Sequence, residues 1–224
     1  MILKAESIAK RYFRKTGEAN YFYAVKPVDL TLESGTVTVL MGRSGSGKTT
    51  LLNMLSGLLW PSEGQLWLGE TNVYSLDDWR LSRLRNEQIG VVPQGRSAID
   101  TLTVMENVLL PGALYGKADK TGMARKWLEE MGIGHLADAR PGELSGGELR
   151  RMAIARAMTM NPQVILADEP TGDLDDENTA LVLNAFRTAA SQGKIVFLVT
   201  HETDALRYTD RAFQMDAGEI QLVK

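Results

Sequence analysis

Alternating apolar and polar side chains mark the first part of the chain. Residues 28–32 are apolar at every second position, and this period predicts a half-buried strand. The preceding stretch 2–12 can pair with that strand, with the polar residues 16–20 in the connection. We therefore expect an antiparallel β portion near the N-terminal end.

Short apolar runs further along the chain predict a second kind of strand. Three runs are almost entirely apolar or β-branched, as in strands buried on both faces, and they span residues 36–41, 164–167 and 195–200. Helical patterns follow the first run at 49–55 and separate the other two at 177–190. Strands that alternate with helices predict an α/β fold with a mostly parallel core sheet.

Turn residues and capping patterns complete the expected elements. A turn at 61–64 precedes a short predicted strand at 65–68, and residues 211–223 are predicted to form a hairpin that turns at 216–219. The long block from about 75 to 160 is predicted to be mostly helical and long enough to form a lobe of its own. Two capping boxes mark helix starts in it, at Thr103 with Glu106 and at Ser145 with Glu148.

Composition narrows the class of protein. Of the 224 residues, 44% are hydrophobic and 24% are charged, and the formal net charge is -3, which does not indicate a nucleic-acid-binding protein. The absence of cysteine excludes a disulfide scaffold, an iron–sulfur cluster and cysteine-ligated zinc. No apolar run approaches the roughly 20 residues that span a bilayer, so work at a membrane would need a partner.

A glycine-rich loop between a predicted strand and a predicted helix carries the strongest chemical signal. Residues 42–49, Gly-Arg-Ser-Gly-Ser-Gly-Lys-Thr, match the pattern of a phosphate-binding loop, whose backbone N–H groups curl around phosphate oxygens. Lys48 is expected to reach the β- and γ-phosphates, and the Thr49 hydroxyl to bind Mg²⁺. The nucleotide-contacting residues of this segment are predicted to be Gly42, Ser44, Gly45, Ser46, Gly47, Lys48, Thr49 and Thr50.

Two carboxylates, Asp168 and Glu169, directly follow the apolar run 164–167. Open α/β sheets bind ligands at the carboxyl ends of their strands, which places this pair beside the phosphate loop. Asp168 is expected to hold Mg²⁺, directly or through water. Glu169 is expected to accept a proton from an attacking water.

A second pair of glycines opens a predicted helix in the segment Leu144-Ser145-Gly146-Gly147-Glu148. The free backbone N–H groups at such a helix start can bind an anion. The same residues also fit an ordinary N-cap followed by a glycine hinge. The residues alone leave both interpretations open.

The motifs, and the order in which they follow one another along the chain, resemble those of the ATP-binding subunit, or nucleotide-binding domain, of ABC transporters. The resemblance covers essentially the whole chain. Besides the segments above, it is carried by Gln94 in Val-Val-Pro-Gln, by Gly-Asp-Leu-Asp at 172–175, and by His201 after the run 195–200. It implies a single ABC ATPase domain over 1–224. Residues 1–94 and 161–224 would form a RecA-like core with the antiparallel β portion, and about 95–160 the helical lobe.

The family resemblance implies a head-to-tail dimer that holds two ATP molecules between its subunits. Ser145, Gly146, Gly147 and Glu148 would contact the ATP that the other subunit binds through its phosphate loop. Asp175 would lie at the dimer interface. Relatives commonly carry a small or neutral residue at the position of Asp173, so this chain adds a negative charge near that interface.

The resemblance also implies roles for three isolated residues. Gln94 would contact Mg²⁺ or the attacking water, and His201 would hydrogen-bond the γ-phosphate. With Lys48 and Glu169 they make up the expected catalytic set, and Gln94 joins Thr49 and Asp168 as a metal ligand. Tyr12 matches the aromatic residue that stacks on adenine, although Tyr21 and Tyr23 compete for that role.

Within the family, the chain most resembles the subfamily that serves lipoprotein release, macrolide export and antimicrobial-peptide resistance, on residues 102–108 and 167–175. This implies a separate transmembrane permease as partner, a second ATPase subunit, no nucleic acid, and a peripheral position on the cytoplasmic side of the membrane. The second subunit is expected to be an identical chain, with a heterodimer as the alternative. A related cell-division ATPase has a stretch similar to 88–92, so that function stays an alternative, as does an ATP-dependent switch without transport. The sequence does not name a substrate, because specificity lies largely in the permease.

Overall fold

The computed structural model describes residues 1–13, 21–116 and 119–224. Among these residues the strands are β1 (Ile2–Phe13), β2 (Tyr21–Glu33), β3 (Val37–Gly42), β4 (Glu63–Leu68), β5 (Thr71–Asn72), β6 (Ile89–Val92), β7 (Val164–Asp168), β8 (Ile195–Thr200), β9 (Arg211–Asp216) and β10 (Glu219–Leu222). The α-helices are α1 (Lys48–Leu55), α2 (Asp78–Gln88), α3 (Val104–Ala113), α4 (Thr121–Glu130), α5 (Gly146–Thr159) and α6 (Asp176–Ser191).

The strands form two sheets. A four-stranded antiparallel sheet has the order β2-β1-β4-β5, and a six-stranded sheet has the order β10-β9-β3-β8-β7-β6. In the larger sheet the five strands from β9 to β6 are parallel, and β10 pairs with β9 antiparallel. The carboxyl ends of β3, β6, β7 and β8 therefore lie along one edge, where loops can meet.

Alternate side chains of the central strands point to opposite faces of the six-stranded sheet. On one face, Ile165 and Val196 join apolar side chains of α3, α4, α5 and α6 in one buried cluster. On the other face, Leu166 and Phe197 join α1 and the antiparallel sheet. Every residue of β7 and β8 is buried, and each large apolar side chain removed from water contributes roughly 1.5–3 kcal/mol.

The helices α3, α4 and α5 pack on one another and form the lobe beside the sheet. Thr103 and Ser145 close capping boxes at the starts of α3 and α5, as the sequence predicts. The fully buried Asn107 fixes the loop before α3, because its side chain bonds the backbone N–H and C=O of Ile99 at 2.8 and 3.0 Å. In the part of the chain that the structure describes, none of the helices has both the length and the apolar character needed to cross a bilayer.

The structure confirms the α/β class, the antiparallel N-terminal portion and the C-terminal hairpin. The predicted connection 16–20 lies outside the described residues. The mostly helical prediction for 75–160 is wrong at 89–92, where β6 forms the edge of the parallel sheet. This strand has only four residues and follows α2 without a turn, so no local signal marks it. It includes Gly90, where a Cβ atom would lie 2.6 Å from the carbonyl oxygen of Ala157 in α5.

Candidate active site

A cavity of about 750 Å³ opens at the carboxyl ends of the parallel strands. Its floor is the loop between β3 and α1, and its sides come from the ends of β6, β7 and β8. The wall beyond the loop belongs to β2 and to the turn between β9 and β10. The lining residues are Phe22, Tyr23, Ala24, residues 43–50, Gln94, Asp168, Glu169, His201, Ala217 and Gly218.

The loop that forms the floor is pressed against two neighbouring strands. A Cβ atom at Gly42 would lie 2.4 Å from the carbonyl oxygen of Met215, and one at Gly47 would lie 2.2 Å from that of Ala24. Gly47 also has φ 111°, a conformation that favours glycine. Only residues without a side chain fit these two positions. A Cβ atom at Gly45, by contrast, would meet nothing within 4 Å.

Polar groups of this loop are arranged to receive an anion. Helix α1 begins directly after Gly47 without a side-chain cap, so its first N–H groups are available to a ligand. The buried Ser46 hydroxyl has no hydrogen-bond partner among the described residues. The Lys48 ammonium group lies in the loop and donates to the carbonyl oxygens of Gly42 and Arg43, at 2.8 and 3.0 Å. This combination of amides, hydroxyl and cation fits a polyphosphate.

Thr49 and Asp168 face each other across the cavity floor. The Thr49 hydroxyl donates to a carboxylate oxygen of Asp168 at 2.6 Å, and Asp168 is buried. Burial raises the pKa of the Asp168 carboxyl, and the hydrogen bond from Thr49 opposes that rise. A hydroxyl beside a carboxylate is a donor set that suits Mg²⁺. The described residues contain no group of three or more acidic or histidine ligands, so a metal here would take its other ligands from the predicted ligand Gln94, from phosphate and from water.

Glu169 and His201 form a hydrogen-bonded pair at the cavity rim. The Nδ1 atom of His201 lies 3.0 Å from a carboxylate oxygen of Glu169. This hydrogen bond and the negative charge of Glu169 raise the pKa of the His201 ring. Glu169 has a positive φ of 49°, and its N–H group donates to the carbonyl oxygen of Val199 at 2.8 Å.

The structure places two of the predicted site residues, Gln94 and Tyr12, differently relative to the cavity. Gln94 lies two residues after β6 and lines the cavity. Tyr12 does not line it; the wall there belongs to Phe22 and Tyr23. Tyr12 is the cross-strand partner of Phe22, and their ring centroids are 5.9 Å apart. The adenine-stacking role of Tyr12 therefore stays a prediction.

Sequence reasoning missed Phe22 and the turn residues Ala217 and Gly218 as parts of the cavity. The cross-strand pairing of Tyr12 with Phe22 is the signal that could have found Phe22. That pairing depends on a register that shifts at several points between β1 and β2, so spacing alone does not give it. The turn residues reach the cavity because Gly218 donates its N–H to the carbonyl oxygen of Ser46 at 3.0 Å.

The glycine pair at the start of α5 lies at a separate concavity of about 360 Å³. It is lined by Ser145, Gly146, Gly147, Arg151, Asp173, Leu174, Asp175 and Asn178. No residue of the phosphate loop is among them. Within one chain, then, the structure does not bring the two glycine-rich segments to the same site.

Glu148 and Asp175 cap helices in this region. Glu148 accepts hydrogen bonds from the N–H and hydroxyl of Ser145, each at 2.7 Å, and these bonds lower the pKa of Glu148. Asp175 accepts the N–H of Asn178 at 2.8 Å at the start of α6, and the bonds from Asn178 lower the pKa of Asp175. Both residues thus have a structural function within the chain. Their predicted contacts with ATP or a second subunit stay predictions.

Comparison with known proteins connects this geometry to a family. A family model described as ABC transporter matches residues 25–172. A lipoprotein-releasing system ATP-binding protein of Xanthomonas oryzae is 35% identical over 223 residues, which cover 98% of this chain and 90% of that protein. A macrolide export ATP-binding/permease protein of Campylobacter jejuni is 38% identical over 88% of this chain, but over only 31% of its own length.

Solved structures agree with these similarities. The dimeric structure of a bacterial ABC transporter cassette matches with a TM-score of 0.90 and 33% identity, and the match covers 99% of both chains. A dimeric post-hydrolysis state of an ATP-binding cassette, bound to ADP and Pi, matches with the same TM-score, identity and coverage.

Proposed function

This chain belongs to the ABC transporter family of ATP-binding proteins, and from that membership we propose that it hydrolyses ATP to drive a separate membrane permease. One observation carries the proposal. Glu169 and His201 are paired at 3.0 Å on the rim of a cavity whose floor is a phosphate loop. This arrangement places a proton acceptor beside the expected position of the terminal phosphate. The similarity to lipoprotein-releasing and macrolide-export proteins supports a permease of that type, which exports its substrate or transmits force across the membrane.

ATP is held chiefly by the phosphate loop in this proposal. The free N–H groups at the start of α1 and the Lys48 ammonium group bind the phosphates, and Phe22 and Tyr23 bound the side of the cavity away from them. Thr49 and Asp168 would hold Mg²⁺, with Gln94 as the third predicted ligand. Mg²⁺ at this position would supply positive charge against the negative charge of the phosphates.

Hydrolysis follows from the position of Glu169. A water oxygen attacks the γ-phosphorus, the bond to the leaving oxygen of ADP breaks, and the Glu169 carboxylate takes the proton from the water. His201 orients that carboxylate through the 3.0 Å contact and is placed to hydrogen-bond the γ-phosphate. The products are ADP and inorganic phosphate.

We infer a head-to-tail dimer from the two separate concavities. Ser145, Gly146 and Gly147 lie away from the phosphate loop of their own chain, and the N–H groups of the two glycines suit the phosphate of a second subunit. The similarity to a cassette solved as a dimer supports this arrangement. ATP would then close two identical chains, and hydrolysis would remove the phosphate that links them.

An apolar groove of about 340 Å³ next to β6 is the proposed docking surface for the permease. It lies between α2, α3 and α5, and Leu58 and Leu114 along it are exposed. Its lining also includes Val91, three residues before Gln94. A helix seated in this groove would move with Gln94 when ATP binds. The chain would thereby be held peripherally at the cytoplasmic face of the membrane.

The replacement Glu169→Gln tests the hydrolysis step. It keeps the size and hydrogen-bonding capacity of the side chain but removes the proton acceptor. We expect steady-state phosphate release to fall by about a hundredfold or more, while ATP binding is kept and an ATP-dependent dimer accumulates. Glu33→Gln, at the exposed end of β2, is the matched control and should match the wild-type rate. Wild-type turnover in Glu169→Gln would remove Glu169 as the base.

The replacement Leu114→Asp tests the docking groove. Tagged Glu169→Gln protein is incubated with ATP and detergent-solubilised membranes of its source, and captured proteins are identified by mass spectrometry. We expect a permease with a large extracytoplasmic domain to be captured, and the Leu114→Asp change to abolish that capture. Leu222→Asp changes another exposed leucine, on β10, and should leave capture intact. Equal capture by both variants would place the docking surface elsewhere.

A further inference from the structure

Two side chains that take no part in the proposed reaction connect the loops that carry Glu169 and His201. The buried Thr171 hydroxyl, two residues after Glu169, donates a hydrogen bond to the carboxylate of Glu202. Glu202 directly follows His201 and donates its backbone N–H to the Thr200 hydroxyl at 3.0 Å. These two bonds thus hold the residues directly before and after His201.

The loop after β7 needs such a tie because Glu169 is strained. Its φ of 49° is a conformation that residues with a side chain rarely adopt. Such a backbone conformation persists only where neighbouring groups hold it in place. Two backbone hydrogen bonds hold Glu169 directly, because its N–H donates to Val199 at 2.8 Å and its carbonyl oxygen accepts from Gly172 at 3.2 Å. Thr171 lies inside the turn that the second bond closes, so its side chain anchors that turn to the neighbouring loop.

We propose that Thr171 and Glu202 are a positioning pair that holds the Glu169 carboxylate in register with His201. Neither residue lines the cavity, so neither is a catalytic residue. The contact between them holds the two loops at a fixed separation, and that separation determines how His201 and Glu169 meet. The inference rests on the proposed function, because it assigns these residues a part in the same hydrolysis step.

A purely structural function of the pair predicts a different outcome. The carboxylate of Glu202 could merely satisfy a buried hydroxyl, in which case replacing Thr171 by an isosteric apolar residue would change stability and not turnover. A positioning function predicts that turnover falls while nucleotide affinity stays, because the phosphate loop, which chiefly holds ATP, is not part of either of the two joined loops. Small displacements of reacting groups cost large factors in rate.

Steady-state ATPase kinetics of three variants test this. Thr171→Val removes the hydroxyl at constant shape, and Thr171→Ser keeps the hydroxyl. Glu202→Ala breaks the same contact from its less buried side. We expect Thr171→Val and Glu202→Ala each to lower kcat by about tenfold with KM for ATP unchanged, and Thr171→Ser to stay within twofold of wild type. The double variant Thr171→Val/Glu202→Ala should have a kcat no lower than that of the more impaired single variant, since both changes break the same contact.

Each outcome decides a separate question. Wild-type kcat in folded Thr171→Val and in Glu202→Ala would overturn the positioning function and leave the proposed function intact. Additive losses in the double variant would also overturn it. If Thr171→Val fails to fold, Glu202→Ala alone decides, with its melting temperature as the check on folding. A wild-type chain without ATPase activity would overturn the proposed function, and the positioning function with it.

Discussion

At the scale of single residues, one positive φ angle gives two adjacent carboxylates different partners. Asp168 ends β7 and accepts the Thr49 hydroxyl at 2.6 Å. Glu169 leaves the strand with φ 49° and meets His201 instead. Because the two side chains diverge, one can serve a metal ion and the other a water molecule. The strained residue therefore lies where function requires it, as is common at active sites.

The protonation of His201 offers a test of this pair. Its hydrogen bond to Glu169 and the nearby negative charge hold the pKa of the ring above its ordinary value. A histidine with a raised pKa in the folded state stabilises that state at low pH, and this contribution is lost as pH rises through the folded-state pKa. We expect an NMR titration of the ring to show a pKa that falls toward the ordinary value in Glu169→Gln.

The chain contains one other histidine, His135, which serves as an internal control in the same spectra. Its ring signals should be the same in wild type and in Glu169→Gln. An unchanged pKa of His201 in the variant would contradict the pairing.

At the scale of elements, the two capping boxes show how far local sequence determines structure. Thr103 and Ser145 each receive the N–H of a glutamate three residues on, and each glutamate bonds back to the cap. An N-cap of this kind contributes about 1 kcal/mol. The two helix starts are locally equivalent, but only that of α5 has glycines at its first two positions and lines a concavity. That difference indicates a binding function for the start of α5 beyond capping.

Placing an arginine at each cap separates stability from dimerisation. Ser145→Arg and Thr103→Arg both lose a capping box, so both should lower stability by about 1 kcal/mol in thermal melts. Only Ser145→Arg places a bulky side chain where the second subunit is proposed to dock. We expect it to keep ATP binding to the monomer and to block the ATP-dependent dimer in light scattering. Loss of ATP binding by the Ser145→Arg monomer would show that the assignment to the opposite subunit is wrong.

How much the sequence could predict depends on whether a feature is local. The phosphate loop, β3, α1 and the Asp168–Glu169 pair follow from patterns within a few residues. The edge strand β6 could not be predicted, because its position is set by a long-range pairing with β7 and by the close approach of α5 at Gly90. The cavity wall at Phe22 depends on the shifted register between β1 and β2. The Thr171–Glu202 contact spans 31 residues and likewise has no local signal.

At the scale of the whole molecule, the architecture concentrates negative charge where a second subunit is proposed to bring ATP. Asp173 lies in the loop between β7 and α6 with a positive φ of 66° and lines the concavity of Ser145 and Gly147. Its carboxylate makes no hydrogen bond or ion pair with any other residue that the structure describes. Arg151 in the same concavity donates to the carbonyl oxygens of Met131 and Gly147 at 3.1 and 3.4 Å. Among the residues that the structure describes, the charge of Asp173 is therefore not compensated by an ion pair.

Removing that charge should strengthen the proposed dimer. Two unit charges 4 Å apart interact by about 1 kcal/mol in water, so a carboxylate that faces phosphates opposes closure by a modest amount. We expect Asp173→Asn, in the Glu169→Gln background, to tighten ATP-dependent dimerisation by about threefold to tenfold in analytical ultracentrifugation at low salt. Asparagine tolerates the positive φ as well as aspartate does, so backbone strain stays unchanged.

Salt and position distinguish this electrostatic effect from other causes. The gain should shrink as ionic strength rises, because charges are screened within about 10 Å at 0.1 M salt. Asp176→Asn removes an equal charge from the first turn of α6, outside the concavity, and should change dimerisation much less. If both variants tighten the dimer equally, general net charge is responsible. If neither does, Asp173 does not face the nucleotide of the second subunit, and the head-to-tail arrangement loses its electrostatic support.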